Sequence, residues 1–138
     1  MQPIVPSRLL RAGLAIDAAG SGAIGLVHVA ATATVARVLD APAAIIVGSG
    51  VFMLVYAAAL LLLARSGTLP RALVRFIVIG NGIYAAGCVL LALLLPGLNG
   101  AAIGHLVFQA VAVALFALLQ GRGLARSQDA LGAVAQPA

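Results

Sequence analysis

What most constrains this chain is how far it runs without a charge. From Ala41 to Ala64 there are 24 consecutive residues with none, and from Phe76 to Gly121 there is none either. Between Arg11 and Arg37 lie 25 residues whose only charge is Asp17. A soluble domain is about half apolar and about a quarter charged. Here 64% of the residues are hydrophobic, 8% are charged and the mean hydropathy is +1.20. A 138-residue fold has too little interior to hide that much apolar surface from water. The chain therefore reads as an integral membrane protein.

Crossing a bilayer as a helix takes about 20 apolar residues. "PGLNG" at 96–100 breaks the longest run in two, so the pattern predicts four spans, roughly 12–36, 43–64, 74–95 and 101–120. Pro42, the Gly67–Pro70 stretch and Pro96 mark three short connections. Short connections make sequential helices antiparallel, which predicts an all-α, up-down-up-down four-helix bundle. Residues 1–122 form one transmembrane domain in this reading, with 123–138 as a flexible tail.

With four spans, both termini and the middle loop share one side of the membrane. That side holds Arg8, Arg11, Arg65, Arg71, Arg75, Arg122 and Arg126, whereas the other holds Arg37 alone, beside Asp40. Arginine bias of this kind predicts cytoplasmic termini in a cell inner (plasma) membrane protein. A cleaved signal peptide is the rival reading of the first segment. Asp17 would interrupt its apolar region, which is also long and rich in glycine. The net charge of +5 comes from arginines at span ends, so it indicates topology and no nucleic-acid partner is expected. The lone Cys88 excludes an internal disulfide.

The polar residues within the spans carry whatever chemistry there is. At about 100° per residue, Asp17, Ser21, His28 and Thr32 fall on one side of the first helix. Ser49, Met53 and Tyr56 make a similar stripe on the second. Asn81, Tyr84 and Cys88 do so on the third, and His105 and Gln109, with Gln120 farther round, on the fourth. Such groups face the bundle interior and bond across helices. A lone carboxylate there needs a partner, and Arg75, entering from the same side one turn deeper than Arg71, is the expected one. Asp17 with Arg75 is thus read as a buried ion pair or, functionally, a proton relay. His28, His105 and Cys88 occur at comparable depth on three helices, so a haem or metal site is a second candidate. The small residues Ala18, Gly22, Gly25, Gly82 and Ala86, and "GAAIG" at 100–104, predict close helix approach.

The stretches "LLRAGLAIDAAGSGAIGL", "GNGIYAAGCVLL" and "GHLVFQAVAVALFALLQGRGLAR" resemble small uncharacterised bacterial four-span integral membrane proteins. The likeness covers most of the chain and implies the same four-span architecture, with no activity attached. Small multidrug-resistance exporters share the size and an acidic residue in the first helix. Their residue is glutamate, however, and their wealth of aromatics is missing here. Three function classes remain. A non-enzymatic accessory or interaction subunit is preferred, its partners being the lipid bilayer and either copies of itself or a larger membrane-protein complex. A transporter or channel using Asp17 comes next. Last is a haem- or metal-binding redox protein using His28 and His105. No serine–histidine–aspartate set, paired carboxylates or phosphate-cradling glycine loop supports an enzyme.

Overall fold

The structure, a computed structural model, describes residues 3–130. In chain order its elements are β1 (Pro3–Val5), α1 (Arg8–Ala30), α2 (Thr32–Leu39), α3 (Ala43–Arg65), β2 (Leu69–Pro70), α4 (Arg71–Leu94), α5 (Gly100–Ala125) and β3 (Gln128–Asp129). Each boundary has a local cause. Ser7 caps α1, its Oγ accepting from the Leu10 amide at 3.1 Å, and Asn99 caps α5 by accepting from the Ala102 amide at 2.8 Å. Pro42 and Pro70 immediately precede α3 and α4, where a missing N–H costs nothing, and Pro96 follows the end of α4.

α1, α3, α4 and α5 are each long and apolar enough to cross a membrane, and the chain is an all-α, multi-pass membrane protein. Most large apolar side chains point outward, including Leu62, Ile83, Leu93 and Leu94. Lipid as the surrounding solvent makes that arrangement favourable, while the helices satisfy their own backbone groups.

The first span differs from the expected continuous helix over 12–36. It breaks at Ala31, where φ is −121° and ψ 30°, and resumes as the short α2. The Thr32 hydroxyl donates to the His28 carbonyl at 2.6 Å, which satisfies a group near the break. α2 buries no residue and stops at Asp40 in the left-handed region (φ 50°). The last helix also runs farther than expected, to Ala125. Gly123, Leu124 and Ser127 are buried, so the start of the expected flexible tail is structured; its remainder, 131–138, lies outside the described residues.

The spans pack in the order α3–α1–α5–α4, with α1 and α5 in the middle. α3 and α4 follow one another in sequence yet scarcely touch. The chain between them supplies the reason. Residues 66–70 are largely extended, and five such residues reach about 16 Å, more than the 8–10 Å between packed helices. β2, at the end of this connection, is drawn onto β1 instead of turning tightly back. β1 is the middle strand of a small antiparallel sheet in the order β2-β1-β3, with Ile4 opposite both Leu69 and Asp129. Both described ends of the chain and the 66–70 connection therefore lie at one end of the bundle. Ile4, Leu10, Leu14, Leu60, Leu69, Val74 and Leu124 make the tightest part of the core there.

Glycine decides two close contacts. A Cβ on Gly50 of α3 would lie 2.8 Å from the His28 Cβ and 3.0 Å from the Gly25 carbonyl oxygen, so α1 and α3 meet almost backbone to backbone. A Cβ on Gly123 would lie 2.5 Å from the Leu10 backbone, and this opening is what lets α5 press against the start of α1. Of the other small residues, Gly22 faces Ala57, whereas the glycines at 82, 100 and 104 meet nothing across helices.

Candidate functional site

Asp17 is 1% exposed and sits where the four spans converge. Its Oδ1 accepts from Ser21 Oγ at 3.0 Å, one turn along α1. Its Oδ2 accepts from Asn81 Nδ2 of α4 at 2.9 Å and from Gln120 Nε2 of α5 at 2.8 Å. Tyr56 of α3 brings one hydroxyl hydrogen between two acceptors, Asn81 Oδ1 at 2.9 Å and Asp17 Oδ2 at 3.3 Å. The second Asn81 Nδ2 hydrogen goes to Gln120 Oε1 at 3.1 Å. One carboxylate thus gathers donors from every span, and among the described residues no buried side-chain N or O atom lacks a partner.

The expected Asp17–Arg75 ion pair is not formed. Arg75 lies next to the buried Val74 but on the exposed side of α4, while Ile77 and Asn81 carry the inward face. It is also six residues, about 9 Å, from the level of Asn81. Neutral amide and hydroxyl donors do what the arginine was expected to do. Among the described residues the ion pair is a different one, Arg71 with Asp129 at 2.9 Å, and both are partly exposed at the sheet end. Arg11 donates to the Ala64 carbonyl at 3.2 Å.

The gap between α3 and α4 opens directly onto this cage. It is a cleft of about 430 Å³ lined by Phe52, Met53 and Tyr56 from α3, by Phe76, Ile77, Gly80, Asn81 and Tyr84 from α4, and by Asp17 and Ser21 at its floor. The cleft is open at Gly80, where a Cβ would meet nothing within 4 Å. Tyr84, expected in the bundle interior, is instead 40% exposed on the cleft wall. The volume falls within the roughly 300–1,000 Å³ of small-molecule sites, which are mostly apolar with a few converging polar groups.

Farther from the sheet lies a second polar layer. His28 and His105 are brought together as the depth argument expected, with ring centroids 5.4 Å apart and planes tilted by 39°. Each ring is held separately. His28 Nδ1 is 3.0 Å from Ser49 Oγ, whose own hydrogen goes to the Ile46 carbonyl at 2.8 Å, so the imidazole N–H donates to the serine. His105 Nε2 is 3.2 Å from Gln109 Nε2, one turn along the same helix. Such a separation is that of two packed rings, about 4.5–7 Å. Cys88 is buried on α4, and among the described residues no three of His, Cys, Asp and Glu come together as a metal set.

Sequence reasoning placed Asp17, Ser21, Tyr56, Asn81 and the histidine pair on interior faces, and it missed the part played by Gln120. Depth was the available signal, because Gln120 lies near Arg122 and hence close to the level of Asp17 on a helix running the opposite way. The cleft residues Phe52, Phe76 and Gly80 carried no such signal. Comparison with known protein families, curated proteins and solved structures finds no match to the chain.

Proposed function

We propose that this is a non-enzymatic membrane protein that takes a small amphiphilic molecule sideways from the bilayer into the α3–α4 cleft, in the manner of a binding protein or carrier. The reading rests on one observation, that two sequential spans stand apart over a polar floor that is otherwise fully bonded. Ionisable and polar side chains inside membrane spans are costly and mark substrate or ion pathways, and here they lie at the floor of an opening to the lipid. The redox reading has less in its favour because each imidazole already has a side-chain partner, Ser49 for His28 and Gln109 for His105. The arginine bias favours cytoplasmic termini in a plasma membrane, which puts the sheet and the nearer, Asp17 layer toward the cytoplasm. An accessory or interaction subunit keeps one observation in its favour. The glycines at 82 and 87 on α4, and at 100 and 104 on α5, leave open surface against which another helix could pack.

Both tyrosines of the chain, Tyr56 and Tyr84, line the cleft, and there is no tryptophan. Tyrosine emission from the protein in lipid vesicles free of any other protein therefore reports on this site alone. Hexyl compounds with a trimethylammonium, a sulfonate or a neutral tert-butyl head form a suitable panel. A saturable change with at least one of them, abolished by Gly80→Phe, is expected. No saturable response to any member would overturn the reading.

A further inference from the structure

The cleft is unusual in what it collects. The chain has only four phenylalanines and two tyrosines. Phe52, Tyr56, Phe76 and Tyr84, four of those six rings, line this one cleft. Phe52 and Tyr56 lie nearly parallel, at 6° and 6.2 Å between centroids, along the α3 wall, and Phe76 and Tyr84 face the cleft from α4. Phe52 and Phe76 are largely exposed, so they are not there to fill the core. At the floor is the only acidic residue of the four spans, because Asp40 and Asp129 lie outside them. Among the described residues no arginine pairs with Asp17. Its shell of amide and hydroxyl groups satisfies the hydrogen bonds of a carboxylate and adds no positive charge.

Each of these features selects for the same sign. A ring face is the negative end of the aromatic quadrupole and attracts an ammonium group within about 6 Å of the centroid. In the low-dielectric surroundings of a bundle, an unneutralised carboxylate acts over a longer range than it does in water. An anion would meet repulsion from both, and a neutral molecule would gain only burial. The lining offers few free hydrogen-bonding groups, which suits a head that needs none.

We propose that the ligand of the cleft is a lipophilic organic cation, with a quaternary ammonium between the α3 and α4 rings. Its hydrocarbon part lies toward the lipid-facing mouth. The cation need not displace the partners of Asp17, since the carboxylate acts through its field from beneath the rings. This assignment rests on the cleft being a ligand site, as proposed above, and fixes the chemical class that the site prefers.

The test compares hexyltrimethylammonium with its neutral isostere, in which carbon replaces nitrogen, and with hexyl sulfonate, using tyrosine emission in lipid vesicles. The cation is expected to bind about tenfold or more tightly than the neutral isostere, in line with a desolvated cation–π contact, and the sulfonate not at all. Phe52→Leu and Phe76→Leu, both at exposed positions, should each weaken the cation several-fold and leave the isostere unchanged. Asp17→Asn, where it folds, should remove most of the preference. Equal binding of cation and isostere, or tighter binding of the sulfonate, overturns the cationic assignment while leaving the cleft as a site. Absence of binding by all three overturns the cleft reading itself, and the cation with it.

Discussion

The two polar layers of the bundle are built on opposite plans. Around Asp17, one side chain is bonded to groups from α1, α3, α4 and α5. Around His28 and His105, each ring has its own partner, one of them on its own helix, and the rings merely pack together. Their chemistry explains the contrast. A carboxylate presents two oxygens with room for about four donors, so it can serve as a common acceptor for a whole cross-section. A neutral imidazole has one donor and one acceptor and can bridge at most two groups. The layer without a shared acceptor is also the one beside the break at Ala31, where α2 buries nothing. Polar cross-linking between spans is therefore concentrated near the sheet and thins toward the other end.

The largest test of this asymmetry is Asp17→Ala. It strands donors on Asn81 and Gln120, and unfolding in mixed micelles should show a loss of about 3 kcal/mol. A loss no larger than that from a histidine substitution would erase the contrast. Next is Gly50→Ala, which pushes a methyl into His28 and the Gly25 carbonyl. About 2 kcal/mol is expected from overpacking at a backbone contact, together with a change in the environment of the His28 ring visible by NMR. His28→Ala should cost less, about 1 kcal/mol, because a single interhelical hydrogen bond in a membrane bundle is modest. A double-mutant cycle sharpens the point. Asp17 and Gln120 should show clear coupling, and His28 and His105 little. Smallest is Arg75→Gln, expected to change stability by less than about 0.5 kcal/mol because the residue is exposed and unpaired with Asp17. A loss of several kcal/mol there would revive the ion pair and undo the account of the cage.

Charge-free length and breakers were enough to read the four helices from the sequence, because lipid imposes one simple rule on every spanning segment. The 3.6-residue period was enough to set Asp17, Ser21 and His28 on one side of α1. Partner choice was not legible in the same way. Arg75 is the nearest opposite charge in depth, but its angular position on α4 faces away, and six residues of helix turn a plausible depth into the wrong side. Gln120 could be found only by following an antiparallel helix back to the same level. The α3–α4 gap was hidden for another reason, as it follows from the reach of an extended connection and from strand pairing at the bundle end. Neither leaves a hydropathy signature. β1, β2 and β3 are two or three residues each, too short for any alternation to register.

That small sheet has a consequence for the order in which the molecule is made. β1 leaves the ribosome before these four spans, yet its partners are Leu69–Pro70 and Gln128–Asp129. The Ser7 hydroxyl likewise waits for the Gly123 carbonyl, at 2.7 Å in the finished protein. During synthesis β1 is an open edge, first half-covered once two spans are inserted and fully covered only when the fourth has followed. Any chain that stalls before α5 emerges keeps one side of that edge unpaired. An unpaired strand edge is a template for other chains, so the clasp distinguishes a completed bundle from an interrupted one at the membrane surface.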